Sequence, residues 1–154
     1  MESTPEKRVQ ELHLTLPDAP KAVAVYKTAV LVGNMLYVSG HGGPKSDKPV
    51  TGRVGDNLKT EDGKAYAKSV GLNILATVKA TLGSLDKVKR LVKTLGMVNC
   101  APGFNRTPQV IDGCSDLLIE VFGDTGRGAR SAVGMAELPF DISVEIELIV
   151  ETTD

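Results

Sequence analysis

A chain of 154 residues is long enough for one domain with a real core, and 42% hydrophobic and 24% charged residues are ordinary for a globular protein. A formal net charge of −1, with three tyrosines, three phenylalanines and no tryptophan, offers little to attract or stack against nucleic acid. The polar start MESTPEKRVQELH has no apolar signal region, and no stretch reaches the ~20 apolar residues of a membrane helix, so the expected location is the cytoplasm, with no membrane partner.

PEKRVQELHL, from Pro5 to Leu14, predicts a short surface helix with Thr4 as N-cap, Pro5 in the first helical position, and Pro17 and Pro20 as stops. It forms a helical extension over about residues 1–20 of a single domain spanning 1–154. VAVYKTAVLVGNMLYVSG, from Val23 to Gly40, predicts a hairpin turning at Gly33-Asn34, with Tyr26 and Ser39 on it as sources of hydroxyl contacts. GHGGPKSDKPVTGRVGDN then reads as a long surface loop. Its Gly42-Gly43 pair lacks the GxxxxGK[ST] pattern of a phosphate cradle.

Thr60 is the expected cap of a helix running to about Leu82 and ending at Gly83, with Ala67, Val70, Ile74, Val78 and Leu82 on its inner face. KVKRLVKTLGMVNC is β-rich, and Lys87, Lys89 and Lys93 share one strand face, as a solvated edge or as an anion patch. Thr107-Pro108 opens a further helix to about Phe122, closed by Gly123, with Val110, Cys114, Leu117 and Val121 inside. Cys114 reads there as a small buried hydrophobe, and neither it nor Cys100 has metal-ligand spacing, which suits a reducing compartment and gives no metal site. His13 and His41 are too isolated to add one.

GARSAVGMAELPFDISVEIELIV closes the chain as two strands, about Arg130–Ala136 and Ser143–Val150, read as a hairpin around a Leu138-Pro139 corner. The predicted class is therefore α+β, a mixed sheet with its two main helices on one face and the other face left for water or another subunit. Arg130 stands among small residues, which leaves room for its planar fork to meet a carboxylate, or else it is a solvated strand end. Glu145 and Glu147 alternate with Val144 and Ile146. They are solvated if that face is wet, and desolvated with a raised pKa if a neighbouring subunit covers it. No nucleophilic triad can be assembled, so any hydrolysis here needs a reactive electrophile held by its charge and met by an ordered water.

The closing segment resembles the C-terminal signature of the Rid, or YjgF-like (endoribonuclease L-PSP-like), family of enamine/imine deaminases. It has an ARS triplet, a short strand, Leu-Pro and a VEIE strand. GNMLYVSGH resembles the family's hairpin, and the helix from near Thr60 and KVKRLVKTLGMVN follow in the family's order. The resemblance implies a chorismate-mutase-like fold assembled as a barrel-like homotrimer with sites between subunits. It also implies cofactor-independent hydrolysis of 2-imino acids and their enamine tautomers to 2-keto acids and ammonia. By position, Arg130 matches the arginine that binds the substrate carboxylate and Glu145 the glutamate beside the catalytic water; Tyr26 and Ser39 match pocket hydroxyls. Ala132 replaces a family cysteine and Ser115 falls near a family asparagine, both at substrate-binding positions. These departures motivate a second reading, a trimer that binds small carboxylates without turnover. The ribonuclease label attached to the family supplies a third, against which charge, scarce aromatics and the lack of a histidine pair all count.

Overall fold

The computed structural model describes residues 3–153, so the first two residues of the expected N-terminal extension and the last residue lie outside the described part. Helix α1 spans Pro5–Glu11, with the Thr4 hydroxyl accepting from the Lys7 amide as expected. It ends before either proline, because His13 turns into the left-handed region at φ 53°. Val9 is buried, and Glu6 accepts from the Leu85 amide (2.9 Å) and Lys79 Nζ (2.7 Å), clasping α1 to the body.

Strands β1 (Ala29–Val32) and β2 (Met35–His41) form the expected hairpin around Gly33-Asn34. The first strand is shorter than the sequence suggested. Residues 23–26 form bends, with the Tyr26 amide donating to the Ala24 carbonyl, so Tyr26 precedes the hairpin rather than lying on it.

Helix α2 runs Thr60–Leu82 and closes at Gly83 with φ 84°, the left-handed position that glycine adopts without strain. Lys59, not Thr60, is its N-cap residue, and the cap closes through the Lys59 amide on the Asp62 carboxylate at 2.8 Å. Helix α3 spans Thr107–Phe122, with Arg106 rather than Thr107 in the capping position. The Thr107 hydroxyl donates instead to the Ala132 carbonyl at 3.0 Å. The two helices meet at Gly113, where an added Cβ would stand 2.0 Å from the Lys64 carbonyl oxygen; only a residue without one allows this approach.

The sheet is completed by β3 (Val88–Asn99), β4 (Ala129–Met135) and β5 (Val144–Thr152), in the order β1-β2-β5-β3-β4. The expected closing hairpin is not formed. Strand β4 pairs parallel to β3, from which α3 carries the chain across, and β5 enters antiparallel between β2 and β3. A crossover through a helix returns a strand parallel to its predecessor, which puts β4 at the edge and leaves the central slot to β5. The Leu138-Pro139 corner therefore carries the chain past β3, between two strands that flank it and do not pair with each other.

Val144, Ile146, Leu148 and Val150 of β5 are buried beneath the inner faces of α2 and α3, including Ala67, Val70, Ile74, Val110, Cys114 and Leu117. Among the described residues no helix packs on the opposite sheet face. Val30, Val32, Tyr37 and Val133 are exposed there, around the partly buried Leu95, Met97 and Ile149. Of the lysine row, Lys87 falls in a 3-10 turn before β3, Lys89 pairs with Glu151 at 2.8 Å and Lys93 donates to Ser131 Oγ at 3.0 Å. Among the described residues no helix is long and apolar enough to cross a membrane.

Candidate active site

The register divides the candidate residues between the two faces of the sheet. Arg130 is opposite Thr94, which is opposite Leu148, both buried under the helices, so Arg130 lies on the helical face of the edge strand. Glu145 is opposite Met97 and alternates with the buried Val144 and Ile146, so it lies on the bare face. Within one chain the guanidinium and the carboxylate are thus on opposite sides of the sheet.

On the helical side, Arg130 Nη1 donates to Asp112 Oδ1 at 2.7 Å and to Ser115 Oγ at 3.2 Å. Both partners come from α3, three residues apart and therefore on one helix face. The Arg130 side chain keeps 29% of its surface exposed and lines a depression of about 270 Å³ with Asp112, Ser115, Asp116 and Arg127. Among the described residues only Nη1 of the guanidinium is hydrogen-bonded, and a fork of this shape can pair with a planar anion through its remaining N–H groups. Ala132 sits two residues along, packed against the core with its carbonyl taken by Thr107.

Glu145 lines a cavity of about 430 Å³ shared with Tyr26, Gly40, Gly42, Gly43 and Phe140 and, from helix α2, Tyr66 and Asn73, so the cavity reaches past the sheet to the helical side. Burial raises the pKa of its carboxyl above the ordinary glutamate value, and the negative charge of Glu147 raises it further. Its side chain lies across Gly40, where an added Cβ would stand 2.8 Å from Oε1. The β2 backbone that provides this platform is irregular between Val38 and His41 and is held from behind. His41 is buried, its Nδ1 donating to the Ser39 carbonyl (2.6 Å) and its Nε2 accepting from the Thr77 hydroxyl (2.8 Å). Burial lowers its pKa and keeps the ring neutral. The Ser39 hydroxyl donates to the Lys27 carbonyl at 2.5 Å, which ties the segment carrying Tyr26 to β2. The Gly43 amide donates to the Tyr66 hydroxyl at 2.9 Å, so this glycine pair serves the cavity wall.

The structure therefore brings Arg130 together with Ser115, and Glu145 together with Tyr26, with Ser39 bracing the latter pair. Sequence reasoning missed Asp112, Gly40 and Phe140. Asp112 could have been found from its spacing of three from Ser115. The other two depend on the Glu145 side-chain path and on an unusual backbone turn, neither of which has a sequence pattern. Among the described residues no group of three or more His, Cys, Asp or Glu side chains stands together as metal ligands.

Over residues 6–151 the chain matches the family described as "YjgF/chorismate_mutase-like, putative endoribonuclease". It is 41% identical over 146 residues to Protein TCP17 of Trypanosoma cruzi, covering 93% of this chain and 91% of that one. It is 32% identical over 139 residues to a 2-iminobutanoate/2-iminopropanoate deaminase of Dermatophagoides farinae, covering 89% and 93%. Among solved structures, Atu1372 of Agrobacterium tumefaciens, a protein of unknown function, superposes with a TM-score of 0.88 at 44% identity, covering 97% of this chain and 92% of that one.

Proposed function

The chain belongs to the YjgF/chorismate-mutase-like family, and we propose on that basis that it is a cofactor-independent deaminase of 2-imino acids, acting in clefts between the subunits of a homotrimer. The observation that carries this reading is Glu145. It is a half-buried carboxyl with a raised pKa, it lines a cavity large enough for a small metabolite, and it belongs to a strand whose bare face has exposed apolar side chains around it. A carboxyl in that state is a stronger base than an exposed glutamate and can take a proton and return it. Covering the bare face with a second subunit removes its apolar surface from water, and closed three-fold symmetry repeats the same contact at each interface. The division of the candidate residues is met in an assembly where the β4 edge that carries Arg130 lies against the Glu145 cavity of the next subunit.

In this mechanism the open edge of Arg130 takes the substrate carboxylate, with Ser115 and the backbone at Ala132 beside it. Water bonds through oxygen to the imine carbon while Glu145 takes its proton, and the imine nitrogen gains a proton from solvent, to which the last hydroxyl proton is later returned, to give a carbinolamine. Glu145 then returns its proton to the nitrogen, the C–N bond breaks, and the remaining hydroxyl proton is lost as the carbonyl forms. The balance is one imine and one water consumed, one 2-keto acid and one ammonia released. The electrophile is reactive enough that positioning and one proton carrier suffice.

The test follows the decay of a 2-imino acid generated in situ by an amino-acid oxidase and trapped with semicarbazide. Faster clearance by the wild type than by Arg130→Ala, with the same assembly state, supports the reading. Equal decay across several side chains leaves carboxylate binding without turnover, which thermal stabilisation by 2-keto acids would then reveal.

A further inference from the structure

Deamination involves only the atoms common to every 2-imino acid, and the cavity beside Glu145 is much larger than those atoms need. At about 430 Å³ it lies within the range of sites that enclose drug-sized ligands. 2-Iminopropanoate would fill a small part of it. The cavity lining includes the apolar or aromatic Val23, Tyr26, Phe140 and Ile142, beside Asn73 and the exposed, charged Lys21, Lys45 and Asp47.

Phe140 is the unusual wall. It is 83% exposed and adopts φ 58° and ψ 19°, and Asp141 follows at φ 56°. Two successive left-handed residues without a glycine are costly, and the left-handed region is least suited to a bulky side chain. Four hydrogen bonds hold the turn. The Asp141 amide donates to the Leu138 carbonyl (3.1 Å), the Ile142 amide to the Pro139 carbonyl (3.3 Å), the Gly52 amide to the Asp141 carbonyl (2.9 Å), and Asn99 Nδ2 to Asp141 Oδ1 (3.2 Å). The ring that this turn presents buries little against its own chain.

We propose that this cavity is the side-chain compartment of the site, that its ligands are 2-imino and 2-keto acids with aromatic side chains, and that Phe140 is the residue that selects them. The reaction rests on the deaminase reading above, whereas the aromatic preference rests on the cavity and its walls. A ligand ring in the cavity can bury apolar area against Phe140 and Tyr26, which both line it, and meet them edge to face as aromatic recognition does.

Binding of phenylpyruvate and pyruvate to the full chain, by calorimetry, tests this without requiring turnover. Phenylpyruvate is expected to bind about ten-fold more tightly. Phe140→Ala should collapse that ratio to within about two-fold, and Phe140→Tyr should keep it. Equal affinities, binding of neither acid, or a ratio unchanged in Phe140→Ala would overturn the proposal. The last result, with a weakened assembly, would make Phe140 a subunit contact. Imine decay measured in parallel separates the two claims. Turnover without aromatic preference sinks this one alone, and aromatic preference without turnover sinks the deaminase reading alone.

Discussion

Gly40→Ala is the substitution whose consequence follows most directly from the geometry. The backbone at Gly40 accepts alanine without strain, but the new methyl would lie 2.8 Å from Glu145 Oε1, 3.0 Å from Cδ and 3.3 Å from Cγ. An ordinary van der Waals contact is about 3.5–4.0 Å, so the carboxyl must retreat by roughly 1 Å. A displacement of about 1 Å at a reacting group can cost about 10²-fold in rate, or about 2.7 kcal/mol of barrier. Stability should change little, because what yields is the free end of a flexible side chain. The assay is imine decay for wild type, Gly40→Ala, Glu145→Gln and the double variant, with thermal unfolding of each. If Gly40 acts only through Glu145, the double variant is no slower than Glu145→Gln alone. Additive losses, or full activity in Gly40→Ala, would refute the reasoning.

Glu145→Gln should also raise the melting temperature near neutral pH, since a half-buried charge is removed. The folded pKa of Glu145 lies above its unfolded value, so protonation favours the folded state, and the advantage of the glutamine variant should shrink as pH falls through that pKa. With Glu145 as the base, activity should fall on the acid side through the same raised pKa. Glu147→Gln, by removing the charge that helps raise it, should move that limb to lower pH, and an unmoved limb would show that another group is titrating. Asp112→Ala should weaken 2-keto acid binding, because Arg130 Nη1 loses its 2.7 Å anchor, whereas Asp112→Asn keeps an acceptor and should retain it; calorimetry on the pair checks this. Glu6→Ala should destabilise the protein by about 1–2 kcal/mol in denaturant titrations. Burial pushes the Glu6 carboxyl upward, but Lys79, the Leu85 amide and Ser84 outweigh it and hold its pKa down. The loss should therefore be full at neutral pH and fade as pH falls through the lowered value.

Much of this architecture was legible from local signals. Helices α2 and α3 are bounded by Gly83 and Gly123, and their apolar spacing names the residues that are buried. β5 alternates cleanly, so the faces of Val144 and Glu145 could be assigned before any pairing was known. What local pattern does not carry is strand order. GARSAVGMAELPFDISVEIELIV looks like a hairpin because its strands are close in sequence, yet β4 is claimed by β3 across α3 and β5 by the vacant central slot. That order sends Arg130 and Glu145 to opposite faces, a separation invisible in their spacing. The bends at 23–26 were missed because Val23, Val25 and Tyr26 are good strand residues that here remain exposed beside a cavity.

The most direct test of the divided site is complementation between subunits. Arg130→Ala and Glu145→Gln proteins are each expected to be inactive in imine decay. Unfolded together and refolded at equal ratio, they should regain about a quarter of wild-type activity, because one cleft in four pairs an intact arginine with an intact glutamate from its neighbour. No recovery, with mixed assemblies demonstrated by mass, would contradict a site shared between subunits.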